Sequence, residues 1–400
     1  MTEAITDFIV RYKFIFLFYL AIVIFLVIKR KQLDFQAKII VLYRTKWGIK
    51  WMTKYAQKHR AWVILLGYIG VGVGFIGMLT ISIVLVKGLV DIFIKPANTA
   101  GVSLVLPGIN VPGLGILPFW HWIAAIFIIA IVHEFSHGIV ARAHNLEVKN
   151  TGIVFFGPII GAFVESDEKK IVKEKDVTQY SILAAGAFSN ILLAIVAILV
   201  LSFVTMPLQN RMTEPAGFTF AEFDNTGDYP FEAAGIKPGS VITGLDGNEF
   251  NDFQSFQKEL LRLHPGDEAM VTADSKDYPI TLAVSPVNSE QGYLGIFAIT
   301  NKLEVKDRFQ YGAGNAAYLT TNTANVFLRW LYLLSLGIGL FNLLPLPIVD
   351  GGRMAQVFLH QLRGKEKGEK SYRKISLFFL LVLLLSLLFP WLSKVLSGLF

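Results

Sequence analysis

Six apolar runs, each long enough to cross a bilayer, decide most of what this chain can fold into. They fall at Phe14–Ile28, extended by Ile9 and Val10, then Trp62–Ile94, roughly His121–Arg142, Tyr180–Phe203, Val326–Pro345 and Ile375–Val395. At about 1.5 Å per residue such runs span the roughly 30 Å of hydrocarbon in a bilayer. Inside that solvent every backbone polar group must be satisfied within the segment, so a helix is the form open to each run. The whole chain agrees: 54% of its 400 residues are hydrophobic and 17% are charged, against about a quarter charged in soluble domains. The first run is followed at once by Lys29, Arg30 and Lys31. A secretory signal carries its positive charge on the other side, so this run is expected to stay as a helix with its N-terminus outside.

Lysine and arginine collect on the cytoplasmic side of membrane proteins. From Lys29 to Arg60 there are ten Lys or Arg against one acid, Asp34. Alternating crossings then put this segment, 143–179 and 361–374 inside, and 205–325 outside. From Thr205 to Thr320 there are sixteen acids against eight Lys or Arg, so the outer region is acidic where the inner loops are basic. The formal charge of +7 is therefore spread beside apolar runs. It suits anionic lipid and forms no nucleic-acid patch with stacking aromatics. Trp47, Trp51 and Tyr55 recur every four residues beside Lys46, Lys50, Lys54 and Lys58. This spacing suits a helix lying on the inner leaflet, or an amphipathic helix packed on the protein itself.

One soluble region interrupts the membrane core. Gly239–Leu245 reads as a strand, Asp246-Gly247 as a turn, and Asn251–Leu263 as an amphipathic helix, with Asn251 and Gln254 placed as in a capping box. Glu268–Ala273 and Tyr278–Val284 read as further strands. The expected organisation is a polytopic α-helical membrane protein of about six transmembrane helices with a small inserted α+β domain. Its parts are 1–61 (first helix and basic segment), 62–204 (membrane core), 205–320 (insert) and 321–400 (membrane core).

The chemistry sits in the third apolar run. His133-Glu134-Phe135-Ser136-His137 is an H-E-x-x-H pattern. Histidines at i and i+4 share a helix face and can reach one tetrahedral ion, with the glutamate able to reach its water. His133 lies twelve residues past His121 and nine before Arg142, about 18 Å and 14 Å along the helix, well inside the membrane. Ionisable groups at that depth are costly and face a functional cavity, or else hold helices together as a polar cluster. The chain has no cysteine, so a third ligand must be an oxygen or another imidazole. Asp350 is the one carboxylate between Val326 and Gln361, and Pro345 and Pro347 break the helix before it. It is a candidate third ligand, or a cap for the helix that Gly351 and Gly352 begin.

H-E-x-x-H in one membrane helix, paired with N-x-x-P-x-x-x-x-D-G from Asn342 to Gly351 in a later one, resembles the site-2 protease family of intramembrane zinc proteases. The resemblance implies one zinc per chain held by His133, His137 and Asp350, with Glu134 as the catalytic base. That family also carries a Gly-Pro-x-x-Asn motif. Here it reads Gly186-Ala187-Phe188-Ser189-Asn190, departing at Ala187. Asn190 and Asn342 are candidate substrate or oxyanion contacts, and Asn190 could equally bridge helices. The segment 152–165, with Gly157, Pro158 and Gly161, resembles the family's re-entrant β-hairpin, the alternative being an ordinary cytoplasmic hairpin. The run Glu232-Ala-Ala-Gly-Ile-Lys-Pro-Gly239, followed by Leu245-Asp-Gly247 and Pro265-Gly-Asp267, resembles a PDZ domain of membrane proteases. Together these imply an enzyme of the cell membrane with cytoplasmic basic loops and an extracytoplasmic PDZ-like domain, cutting single-span membrane proteins after an earlier cleavage. The alternative is an inactive membrane scaffold with structural zinc and a peptide-binding module.

Overall fold

The computed structural model describes residues 2–36, 40–94, 105–108, 110–111, 115–157, 159–224, 227, 229–286 and 288–397. Six of its helices are long and apolar enough to cross a membrane: Tyr12–Gln32, Arg60–Ile94, Phe119–Ala143, Asp176–Met212, Gly312–Phe341 and Lys365–Phe389. The protein is therefore a multi-pass helical membrane protein. It divides into two compact units, residues 1–198 with 327–400, and 199–326.

The first unit opens with α1 (Thr2–Lys29), β1 (Leu33–Gln36), β2 (Ile40–Thr45), α2 (Ile49–Lys58) and α3 (Arg60–Ile94). The two strands are a correction to the basic inner segment, in which the β-branched and aromatic run Ile40-Val-Leu-Tyr43 forms a strand between its basic residues. On α2, Trp51 and Tyr55 are exposed while Met52 and Ala56 are fully buried. One edge of the helix is thus exposed and the other packed on the protein, as the amphipathic alternative expects. Along α3, Gly67, Gly70, Gly74 and Gly77 form a buried face. A side chain on any of them would run into Ser181, Phe188, Ala184 or Leu343 respectively. Small residues at such spacing let membrane helices approach closely.

Then come β3 (Asn110–Val111), β4 (Gly115–Ile116), α4 (Phe119–Ala143), β5 (Val148–Phe156), β6 (Ile159–Ser166), α5 (Glu168–Ile171) and α6 (Asp176–Val200). β5 and β6 form the expected hairpin, turning at Gly157 with φ +56°, a value glycine adopts without strain. It is longer than 152–165, since β5 and β6 stay paired out to Val148 and Ser166, and β2 adds to the sheet by pairing Ile40 with Phe156 through Thr45 with Thr151. The sheet order is β1-β2-β5-β6, which leaves β6 as an edge beside α4.

The second unit continues from a π-helical turn at Leu201–Thr205 into α7 (Met206–Met212), β7 (Thr213–Thr219), β8 (Glu222–Phe223), α8 (Pro230–Ala233), β9 (Ile242–Leu245), β10 (Asn248–Glu249), α9 (Phe253–Leu260), β11 (Glu268–Ala273), β12 (Lys276–Thr281), β13 (Ala283–Val284), β14 (Gly292–Tyr293), β15 (Ile296–Phe297) and β16 (Thr300–Val305). The main sheet runs β12-β11-β9-β7-β16, with β10 folded back on β9 through Asp246 and Gly247, both at positive φ. Two left-handed residues are what a tight hairpin between twisted strands requires. Phe218, Phe231, Ile242, Leu245, Phe256 and Val271 are fully buried between sheet and helices. α9 is capped by Asp252, whose carboxylate accepts from Ser255 N–H at 2.7 Å, not by Asn251 with Gln254. β7 and β16, the strands that close the sheet on one side, lie outside the predicted elements.

The chain returns to the first unit in α10 (Gly312–Phe341), a non-helical stretch over 342–349, α11 (Asp350–Arg363) and α12 (Lys365–Ser397). Pro345 and Pro347 forbid a continuous helix here, and Gly351 N–H closes the bend by donating to Asn342 C=O at 2.7 Å. The pair Gly351-Gly352 has a steric reason: a Cβ on either would overlap the backbone carbonyl of Leu343 or Leu346.

Candidate active site

α4 is apolar along its length, and its one-turn spacing brings His133 and His137 to the same side with Nε2 atoms 3.2 Å apart. The helix break before α11 aims the first residue of that helix at them: Asp350 Oδ2 lies 3.1 Å from His133 Nε2 and 3.3 Å from His137 Nε2. A tetrahedral zinc with bonds of about 2.0–2.1 Å separates its ligand atoms by roughly 3.3–3.4 Å. The three atoms therefore already outline one face of such a tetrahedron. Asp350 does not cap α11: its N-cap is Val349, and Oδ2 is buried with no donor beyond the two imidazoles. Among the described residues this is the one cluster of three or more His, Cys, Asp or Glu able to share an ion. Two imidazoles and a carboxylate converging without another donor form the donor set that zinc prefers.

Glu134 projects to the side of this cluster, where its Oε2 accepts the backbone N–H of Val164 on β6 at 3.1 Å. Antiparallel strands alternate the direction of their backbone groups, so N–H and C=O of Ala162 and Ile160 face the same way as those of Val164, away from β5. A cavity of about 780 Å³ opens here, bounded by Glu134, His137, Phe163, Val164, Ile182 and Asp350. At its polar end Arg44 on β2 meets Asp34 at 2.5 Å and Glu165 at 3.1 Å, and Asn150 donates to Glu165 at 3.0 Å. The Asn150 amide, helped by the Arg44 guanidinium and opposed by burial, holds the Glu165 carboxyl below the usual glutamate range.

A sequence profile described as Peptidase family M50 matches residues 121–387, which is 267 of the 400 residues and includes every member of this cluster. The chain belongs to peptidase family M50, the site-2 proteases. Among similar proteins, an uncharacterized protein of Methanocaldococcus jannaschii is 27% identical over 341 residues, covering 82% of this chain and 80% of its own. A putative zinc metalloprotease of Clostridium perfringens is 22% identical over 298 residues, covering 59% and 86%. The zinc metalloprotease RasP of Oceanobacillus iheyensis is 26% identical over 227 residues, covering 46% and 51%. The two zinc metalloproteases support a protease, and zinc as the ion for the His133–His137–Asp350 cluster.

The remaining candidate residues of this M50 chain fall in different places. Asn190 on α6 is fully buried, with Nδ2 3.1 Å from His133 Nδ1 and Oδ1 without a partner. Asn342 touches the site through its backbone, as the acceptor for Gly351 N–H. Neither asparagine is among the residues that bound the active-site cavity. Gly157 is at the hairpin turn; Gly161 lies on β6 with its α-carbon turned to Val154. Pro158 lies outside the described residues. Three contributors were not foreseen from sequence: Val164, whose N–H holds Glu134, Ile182, whose carbonyl meets His137 Nδ1 at 2.6 Å, and Gly186, where a Cβ would overlap both imidazoles. Ile182, Gly186 and Asn190 stand four residues apart, a helical stripe visible in the sequence.

Proposed function

We propose that this chain is an intramembrane zinc endopeptidase that hydrolyses peptide bonds within or near the membrane-spanning segments of single-span proteins. The observation that carries this reading is Glu134 lying beside the His133–His137–Asp350 cluster, on a helix apolar enough to sit in the bilayer. His133, His137 and Asp350 would hold a zinc ion, whose chemistry there would be electrophilic activation of a water molecule and of the carbonyl under attack. Glu134 removes the water's proton during attack and returns it to the leaving amine. The N–H of Val164 holds Oε2 and keeps the carboxylate turned to the cavity.

A substrate helix has its carbonyls engaged and must unwind before attack. The outward N–H and C=O groups of Ala162 and Ile160 suit an extended segment added to the β6 edge, which would put its backbone alongside Glu134. In this reading the charge asymmetry of the loops sets the hairpin and basic segments inside. The acidic unit of 199–326, taken as a PDZ-like domain, then lies outside and admits substrates whose outer domain has been removed. A scaffold with structural zinc has no use for a glutamate held beside the ion's open side.

The test is zinc content and cleavage of a single-span substrate by wild type, Asp350→Ala and Glu134→Gln. Expected are about one zinc per chain in wild type and Glu134→Gln, much less in Asp350→Ala, and cleavage by wild type only. Cleavage by Glu134→Gln at the wild-type rate would refute the assignment of the base.

A further inference from the structure

Both imidazoles of the metal cluster are backed by one helix, and the backing is spaced in step with them. On α4 the histidines run 133 then 137; on α6 the groups that meet them run in the opposite sense. Asn190 meets His133 Nδ1 at 3.1 Å and the Ile182 carbonyl meets His137 Nδ1 at 2.6 Å. Gly186 lies midway, and a Cβ there would fall 2.6 Å from His133 Nε2 and closer still to His137 Nε2. A helical side chain covers the turn N-terminal to its own Cα, so any residue but glycine at 186 would also cover the carbonyl of Ile182. α6 is itself held: Ser335 Oγ donates to the Asn190 carbonyl at 2.8 Å, and a Cβ on Gly339 would lie 3.1 Å from Asn190 Cβ.

We propose that the stripe Ile182–Gly186–Asn190 fixes the tautomer and aim of both ligand histidines, with Asn190 acting as a positioning residue on His133 and not as a contact for the substrate oxyanion. This rests on the zinc reading above. A carbonyl can only accept, so His137 Nδ1 carries the proton and Nε2 presents its lone pair to the cluster. His133 faces an amide, which can offer either atom. With Nε2 of His133 given to a metal, Nδ1 must be the protonated nitrogen, and Asn190 must turn its oxygen to it. A half-turn about Cβ–Cγ exchanges Oδ1 and Nδ2 in the same volume and supplies the acceptor from the atom that otherwise has no partner. Either orientation leaves one amide atom unpaired, so the state of the ring decides which. The full burial of Asn190, away from the cavity that Glu134 faces, agrees with a role behind the ligand.

Such outer partners of ligating histidines typically carry about 10- to 100-fold in metal affinity. The experiment compares wild type with Asn190→Leu, which keeps shape and removes the acceptor, and Asn190→Asp, which keeps an acceptor. Zinc affinity is read by chelator competition and ligand geometry by the absorption spectrum of the cobalt(II) form. Expected are a loss of about 10- to 100-fold in Asn190→Leu with an altered cobalt spectrum, and recovery of both in Asn190→Asp. Equal zinc affinity in all three, or equal loss in both variants, overturns the proposal. A second readout needs no variant: zinc-loaded wild type labelled with ¹⁵N-histidine should show His133 and His137 both protonated at Nδ1, and protonation of either at Nε2 also overturns it. Failure of the wild type to bind zinc at all would instead remove the zinc reading on which the proposal stands.

Discussion

Replacing Gly186 with alanine separates what the fold needs from what the metal needs. The new methyl would lie 2.6 Å from His133 Nε2 and Cε1, and nearer to His137 Nε2. Ordinary contact between such atoms is about 3.5 Å, so the His133 ring must retreat by roughly 0.9 Å and the His137 ring by roughly 1.1 Å. Without a metal they can swing aside, and alanine is favoured over glycine in a helix interior by roughly 0.5–1 kcal/mol. With a metal they cannot, because ligand distances tolerate only about ±0.2 Å. The expected result is a metal-free protein at least as stable as wild type, with zinc affinity reduced by at least about 100-fold, equivalent to roughly 2.7 kcal/mol. Thermal unfolding of the metal-free forms and chelator competition for zinc measure the two halves on the same samples. Zinc bound by Gly186→Ala within about threefold of wild type would refute the steric argument. A large loss of metal-free stability would mean that Gly186 serves helix packing before it serves the ligands.

Two further substitutions and one titration probe the surroundings. Gly351→Ala should behave oppositely to Gly186→Ala, because its Cβ meets the rigid Leu343 backbone. Overpacking of this kind costs about 1–3 kcal/mol, so thermal unfolding of the metal-free protein should already report it. Val164→Pro removes the donor to Glu134 but no β5–β6 ladder bond, since that N–H faces α4. A lost hydrogen bond to a charged group is worth about 1.5–3 kcal/mol, so single-turnover cleavage should slow by about 10- to 100-fold with zinc binding intact; an unchanged rate argues against the Val164 contact. Glu165 has a folded-state pKa below its ordinary 4.5, so its contribution is present above that value and fades as pH falls through the depressed one. Protection of β6 amides from hydrogen exchange, taken relative to the intrinsic rate at each pH, should therefore fall on acidification below about pH 4.5 in wild type and lose that step in Glu165→Gln.

The membrane helices and the shared face of His133 and His137 are legible in the sequence because each rests on a local rule. Apolar length alone marks a crossing, and His133 with His137 share a helix face whatever surrounds them. Asp350 was legible by elimination, as a lone carboxylate after two prolines. β1 and β2 were not, because β2 is anchored on β5 more than a hundred residues away, β1 pairs only with β2, and a strand of four to six residues has little periodicity of its own. The same holds for β7 and β16, which become strands only by pairing with each other and with β9. The cap of α9 was misplaced by one residue because Asn251 and Asp252 both suit the role, and only the turn into the helix chooses between them.

The α6 stripe is the instructive case, because its pattern was open to reading and its meaning was not. Residues 182, 186 and 190 follow helical spacing, yet an isoleucine, a glycine and an asparagine in an apolar helix suggest packing, with the asparagine as a bridge. What gives them a role is a carbonyl, which sequence hides because every residue has one. Glycine at 186 uncovers that carbonyl at the level where His137 needs an acceptor. The departure at Ala187 from the family's proline fits this account: the stripe uses positions 182, 186 and 190, and Ala187, fully buried and packed beside Leu343 and Met354, takes no part in orienting either histidine.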